Sequence, residues 1–259
     1  MRRLVLPLLL VTASMNCVLA QVTPPQPGVP KDFVLPSRKQ VSLPNGLNAT
    51  IVDYGLVPKA TVSLVVKTGT VHEKENENGL GSLLAKLMEE GSQELPAKDL
   101  FRRVASIGGS MNASISANQL TISGTVLSEF VPAYIQILSQ LASKPLLPEG
   151  ELQRVKNDLK RQIAIQSNVP QVQASKKFNS IIYQDHPYGR AFPSSAQVDT
   201  YSIEDVRRFY ESNVGAARAT LYVVGRVDQE MVADAVKNSF SSWRAGPGVD
   251  YPVPSPVKA

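Results

Sequence analysis

The polar residues with the most suggestive spacing lie in the segment 79–92, where Ser82 and Lys86 are four residues apart. Residues at this spacing share one face of a helix, so the two side chains are predicted to be neighbours. A serine beside a neutral lysine can act as a nucleophile, but it needs a desolvated lysine and an oxyanion hole. Nothing else in the sequence supports either requirement. Glu89 and Glu90 are expected on a solvated helix face, and a structural ion pair is the alternative.

The chain is poor in residues that bind transition metals. It contains two histidines, His72 and His186, and one cysteine, Cys17. A catalytic zinc site needs about three His, Cys, Asp or Glu ligands and one open position. Both histidines are expected in loops, where backbone hydrogen bonds hold them, rather than at a metal.

The helix that carries Ser82 and Lys86 is predicted from its leucines, which recur at helical intervals from Leu80 to Leu87 before a stop at Gly91. A hairpin is predicted at 41–52 around Asn45-Gly46. The other predicted strands are 60–68, 110–116, 119–127 and 219–224, and the other predicted helices are 95–107, 129–141, 148–166, 171–183, 202–210 and 228–243. The order lacks strict βαβ alternation, which indicates an α+β fold with an antiparallel-rich mixed sheet and helices packed on one face.

The segment Gly79–Ser92 resembles the signature helix of the insulinase/pitrilysin family of zinc metallopeptidases, which includes the mitochondrial processing peptidase. The family pattern is Gly-Leu-x-His-x-x-Glu-His, an inverted zinc motif. Further segments resemble the family in the same order: Leu43-Pro44-Asn45-Gly46-Leu47, Gly69 through Glu77, Ile107 through Ala113, Asp185-His186-Pro187-Tyr188-Gly189, and Leu221 through Gly225. The resemblance implies a metallohydrolase domain of the processing-peptidase type over residues 41–245.

The resemblance places Ser82 and Lys86 at the two histidine positions and Ala85 at the glutamate position. The third ligand, a glutamate on a later helix, falls at Gln162. A lysine ammonium has no lone pair for a metal, and alanine removes the general base. The resemblance therefore implies no catalytic residue and no metal site here, with zinc expected only in a partner. Asp158 or Glu151 would take the third position only if the alignment slipped and the geometry differed.

A second implication of the resemblance concerns the segment Gly109, Ser110, Met111, Asn112, Ala113 and Ser114. In active relatives this strand lies at the sheet edge beside the zinc and holds the substrate peptide by β-augmentation. Recognition through the backbone needs no particular side chain, so it is compatible with a lost metal site. An edge strand that only packs is the alternative.

The two ends of the chain differ from the middle. Arg2 and Arg3 precede an apolar stretch, and small residues precede Gln21, so residues 1–20 are predicted to be a signal peptide of an exported, periplasmic or secreted protein. A lipid anchor at Cys17 is an alternative that fits poorly. Residues 21–40 are predicted to be a Pro-rich extended leader, and 246–259 a Pro-rich linker after which a second homologous domain is absent.

Charge and hydropathy exclude other classes of function. The formal charge of +5 falls to +3 without Arg2 and Arg3, and no basic cluster is interleaved with aromatic residues. Nucleic acid is therefore not an expected partner. No internal apolar run approaches the ~20 residues that span a bilayer.

Three functions follow from the resemblance. The first is a non-catalytic subunit that assists peptide binding or proteolysis by a zinc-bearing homologue. The second is a stand-alone scaffold or binding protein of the same fold. An active metalloendopeptidase with a divergent site is the third.

Overall fold

The computed structural model describes residue 28 and residues 34–190 and 192–254. The predicted signal peptide, Cys17 and most of the predicted leader lie outside the described residues, and so do residues 255–259 of the predicted linker. From Pro36 onward the described chain forms one compact unit. None of the described helices combines the length and the apolar character needed to cross a membrane.

The centre of the unit is a six-stranded sheet in the order β1-β2-β6-β3-β5-β4. The strands are β1 (Arg38–Ser42), β2 (Asn48–Asp53), β3 (Lys59–Val66), β4 (Asn112–Ile115), β5 (Leu120–Leu127) and β6 (Ala219–Gly225). The pair β2–β6 is parallel, and the other four pairs are antiparallel. β4 lies at one end of this order, next to β5.

The helices cover one face of the sheet. They are α1 (Leu80–Met88), α2 (Ala97–Ser106), α3 (Val131–Ser143), α4 (Glu149–Ser167), α5 (Pro170–Tyr183), α6 (Ser195–Thr200), α7 (Ile203–Asn213) and α8 (Gln229–Phe240). Successive strand residues point to opposite faces, so β3 buries Ala60, Val62, Leu64 and Val66 against the helices. On the opposite face Tyr222 is 43% exposed. The predicted α+β class, with a mixed sheet and helices on one face, is confirmed.

Most predicted elements are present with shifted ends. β3 lies between β6 and β5, as expected for its run of β-branched residues. β1 begins at Arg38, inside the segment predicted as leader, because residues 38–42 pair with β2 in register. The six-residue helix α6 was not predicted. It is capped by the Ser194 side chain, which accepts from the Gln197 N–H, and it is too short to show an apolar period.

The predicted turn at Asn45-Gly46 joins β1 to β2. Gly46 has φ of +94°, a conformation that glycine adopts without the steric penalty of a side chain. The Asn45 side-chain amide donates to the carbonyls of Phe240 and Trp243, at 2.8 and 2.9 Å. The hairpin is thereby tied to the end of α8.

The C-terminal segment, residues 246–254, is held by the side chains of one arginine and two histidines. The buried Arg218 guanidinium donates to the carbonyls of Pro247 and Gly248. The Nε2 atoms of His72 and His186 lie 3.0 and 2.9 Å from carbonyl oxygens further along this segment. The Nδ1 atom of each ring accepts a backbone N–H, so both rings donate from Nε2. The expectation that backbone hydrogen bonds hold the two histidines is confirmed.

Gly124 in β5 is a point of close backbone approach. A Cβ there would overlap the carbonyl oxygen of Ser110 and the hydroxyl of Tyr134. Tyr134, which is fully buried on α3, donates its hydroxyl to that same carbonyl at 2.8 Å. These contacts fix the entry of the chain into β4.

Candidate functional site

The helix α1 begins at a glycine because its N-cap is left-handed. Gly79 has φ of +89°, and a Cβ there would lie 2.7 Å from the Pro193 side chain. The helix then buries Leu80, Leu83, Leu84 and Leu87 completely. This apolar face fixes where the opposite, polar face points.

A buried carboxylate caps the start of α1. Glu73 is 5% exposed, and its two oxygens accept the N–H groups of Gly79 and Gly81 at 3.0 and 2.8 Å. Burial raises the pKa of Glu73 to about 7, although the two N–H bonds and the charge of Arg190 oppose this change. The Arg190 guanidinium also donates to the Glu73 carbonyl. Glu73 is not among the residues predicted from the sequence, where its only signal is an acid shortly before a helix start.

A cleft runs between α1 and β4 on one side and α4 and α5 on the other. It consists of two adjoining cavities of about 470 and 430 Å³. Both cavities are lined by Ser82, Ile115, Leu159 and Gln162. Glu73 lines the first cavity, whose other walls include apolar residues of α4 and α5.

The structure brings the four motif positions together at this cleft. Ser82 and Gln162 line both cavities, and Ala85 and Lys86 line the second. Their side chains do not fit a zinc ion, because they offer a hydroxyl, an amide, a methyl group and an ammonium. Among the described residues, no three His, Cys, Asp or Glu side chains gather as a candidate metal site.

The Lys86 side chain is paired and half exposed. Its Nζ donates to Glu89 Oε2 at 3.1 Å, and 49% of the side chain is accessible. A lysine in this setting is not desolvated, so the structure gives no support to a serine–lysine nucleophile with Ser82. The other oxygen of Glu89 accepts the Ala113 N–H at 2.8 Å.

Glu90 extends the charged face toward α4. Its carboxylate pairs with Arg154, whose guanidinium also contacts Glu151 and Asp158. The side chains of Glu89 and Glu90 are 21% and 19% exposed. The prediction of a solvated face is therefore wrong, and the ion-pair alternative is the one observed. Since Glu151 and Asp158 are engaged with arginine, neither is free to act as the alternative third ligand.

The predicted peptide-binding segment is only partly strand. Gly109 belongs to the turn after α2, where its N–H bonds to the Val104 carbonyl. Ser110 faces β5, because its N–H donates to the Thr125 carbonyl at 2.9 Å. Asn112, Ala113 and Ser114 lie in β4 and line the second cavity, and Ile115, which was not predicted, lines both.

The register of β4 defines its outer edge. Ser110 and Ser116 both donate their N–H groups toward β5. In an antiparallel ladder the inward backbone groups alternate, so Asn112 and Ser114 also face β5. The N–H and C=O groups of Ala113 and Ile115 therefore point away from β5, on the side of the cleft.

Comparison with known proteins places this geometry in a family. The family model described as Insulinase (Peptidase family M16) matches residues 54–194, and the one described as Peptidase M16 inactive domain matches residues 200–259. An uncharacterized zinc protease of Rickettsia felis is 25% identical over 79% of this chain and 50% of its own length. A probable mitochondrial-processing peptidase subunit beta of Arabidopsis thaliana is 24% identical over 82% of this chain and 40% of its own length. The chain thus spans about half or less of these relatives.

Solved structures share the fold. A protease from Helicobacter pylori superposes with a TM-score of 0.78 at 21% identity, covering 86% of this chain and 54% of that protein. The first half of the periplasmic protease PqqL from Escherichia coli gives 0.77 at 17% identity, covering 87% of this chain and 51% of that one. Because the first family model alone covers more than half of the chain, this protein belongs to the insulinase family, Peptidase family M16.

Proposed function

We propose that this chain is a non-catalytic member of its family that assists peptide binding or proteolysis by a zinc-bearing homologue. One observation carries the proposal. Ser82, Ala85, Lys86 and Gln162 line the same cleft as the outer edge of β4, yet together they supply no His, Cys or carboxylate ligand for zinc and no carboxylate base for a metal-bound water. A backbone surface for an extended peptide is compatible with this loss.

The partner is proposed to be a second domain of the same fold, either on another chain or in a longer protein. The chain spans about half of the relatives it matches, and several of these are named as subunits of the mitochondrial processing peptidase. An unpaired strand edge is also a surface that proteins cover. Residues 1–20 support export, so we place the pair in the periplasm or outside the cell.

Metal analysis tests the catalytic half of the proposal. We expect the purified chain to bind less than stoichiometric zinc and to cleave no unstructured peptide. The matched positive control is the quadruple variant Ser82→His, Ala85→Glu, Lys86→His and Gln162→Glu, which should gain zinc because α1 and α4 already face one another. About one zinc per wild-type chain, with peptide cleavage, would refute the proposal.

Co-expression tests the partner half. The exported chain is produced with and without a zinc-bearing homologue from the same genome, and mass in solution and peptidase activity are measured. A stable complex with altered activity is the expected result. A monomer that neither joins the homologue nor changes its activity would leave only the stand-alone scaffold.

A further inference from the structure

The outer edge of β4 is not fully open to a peptide. The carboxylate of Glu89 occupies the outward N–H of Ala113, at 2.8 Å. The N–H of Ala113 is one of the groups that an added antiparallel strand would use, since hydrogen-bonded pairs in such a ladder exchange both N–H···O bonds. Glu89 thus stands where a peptide carbonyl oxygen would stand.

The position of Glu89 is held from two further sides. It is the C-cap residue of α1, whose apolar face is buried, so its backbone is fixed against the sheet. Its second oxygen accepts from Lys86 Nζ at 3.1 Å. With a side chain only 21% exposed, the carboxylate is kept at the strand rather than in bulk water.

We infer that Glu89 is an internal competitor for the peptide, which must displace its carboxylate from Ala113 before a strand can add along β4. This inference rests on the proposed peptide-binding function. It also defines a gate: a partner that draws the Glu89 carboxylate into its own ion pairs would open the edge. Ile115, the next outward residue, can bond to an incoming chain, but a strand that continues along β4 to Ala113 has to displace the carboxylate.

Three variants separate the possible roles of Glu89. Glu89→Ala frees the Ala113 N–H, whereas Glu89→Gln keeps an amide oxygen that can still accept it. Lys86→Met removes the ion pair and leaves the carboxylate on Ala113. The probe is a fluorescein-labelled decapeptide of alternating threonine and valine with a lysine at each end, and binding is followed by anisotropy with the whole chain.

We expect Glu89→Ala to bind the probe about tenfold tighter than the wild type. The reason is that the peptide no longer has to break one hydrogen bond, and one such bond corresponds to about a tenfold change in affinity. Glu89→Gln and Lys86→Met should stay within about threefold of the wild type. Exchange of the Ala113 amide proton, followed by NMR without peptide, should be faster in Glu89→Ala than in Glu89→Gln. This second measurement reports on the carboxylate contact even when no peptide is present.

The outcomes distinguish this inference from the proposed function. Equal probe binding by wild type and Glu89→Ala, with shifts in the β4 amides of both, would retain the peptide site and overturn the competitor role. No binding by either protein would overturn the peptide site itself, and the competitor role with it. Tighter binding by Glu89→Gln as well as Glu89→Ala would show that the charge, rather than the acceptor on Ala113, opposes the peptide, and would also overturn the inference.

Discussion

The buried cap of α1 predicts an unusual dependence of stability on pH. Burial raises the pKa of Glu73 to about 7 from its ordinary value of 4.5. In the unfolded chain this carboxyl is largely ionised above pH 5, whereas in the folded chain it stays protonated until about pH 7. The native state therefore binds more protons in this window, and the free energy of unfolding falls as pH rises.

The size of the effect follows from the two pKa values. One pKa unit corresponds to about 1.4 kcal/mol, so a carboxyl that titrates at 4.5 unfolded and about 7 folded loses roughly 2.5 kcal/mol of stability between pH 5 and pH 8. Glu73→Gln does not titrate, so it should lack this loss. The variant should be less stable than the wild type at pH 5, because its amide NH₂ would face one backbone N–H without an acceptor. The gap should close toward pH 8.

Urea unfolding between pH 5 and pH 8 provides the measurement. Trp243 is the only tryptophan and is 3% exposed, so its emission reports on loss of the core. Glu204→Gln, at a carboxylate whose side chain is 67% exposed, is the matched control for removing one acid. Wild type and Glu73→Gln with parallel stability profiles would refute the reasoning, and would mean that the two N–H bonds to the carboxylate outweigh its burial.

Three further outcomes are expected. Gly124→Ala should lower the free energy of unfolding by about 2–3 kcal/mol in urea titrations, because its Cβ meets a carbonyl oxygen. The control Gly150→Ala has open space around its Cβ and should change the free energy of unfolding by less than about 1 kcal/mol. Arg218→Met should cost about 2 kcal/mol in the same assay and release the C-terminal segment, since its buried head group holds two carbonyls there. Burial, and then the charge of Arg218, lowers the pKa of His72 in the folded chain. The stability contributed by neutral His72 is therefore present above pH 6.5 and is lost as pH falls through the pKa of the folded state. His72 bonds to the Asp250 carbonyl, so the amide signal of Tyr251, in the same peptide unit, should move on acidification in the wild type and less in His72→Gln in NMR titrations.

The sequence predicts those parts of the fold that depend on local pattern. Alternation in β3, the Asn45-Gly46 turn and the Ser202 cap of α7 are each encoded within about ten residues, and all are present. In the α7 cap, the Ser202 side chain and Asp205 exchange hydrogen bonds with each other's backbone N–H groups. The position of Gln162 opposite α1 was obtained from the family pattern rather than from any period in the sequence.

The parts that were missed depend on contacts between distant residues. Glu89 meets Ala113 across 24 positions, and Glu90 meets Arg154 across 64. Two consecutive acids on a helix are most simply solvated, and only the packing of α1 against β4 and α4 brings their partners within reach. The burial of Glu73 likewise follows from the fold of the loop around the start of α1, which no local spacing describes.

The apolar face of α1 explains why the helix keeps its position although the residues at the motif positions differ from the family pattern. Leu80, Leu83, Leu84 and Leu87 are fully buried, and burying one such side chain stabilises a fold by about 1.5–3 kcal/mol. The ion pairs on the polar face are partly exposed, and pairs of that kind contribute about 0–1 kcal/mol each. The helix is therefore positioned almost entirely by its leucines.

In the family pattern a metal joins this helix to the later one that carries the third ligand. Here the Glu90–Arg154 pair joins α1 to α4, and Glu89 joins α1 to β4. Since the leucines that position α1 lie on the face opposite Ser82 and Lys86, residues of the polar face can differ from the family pattern without moving the helix.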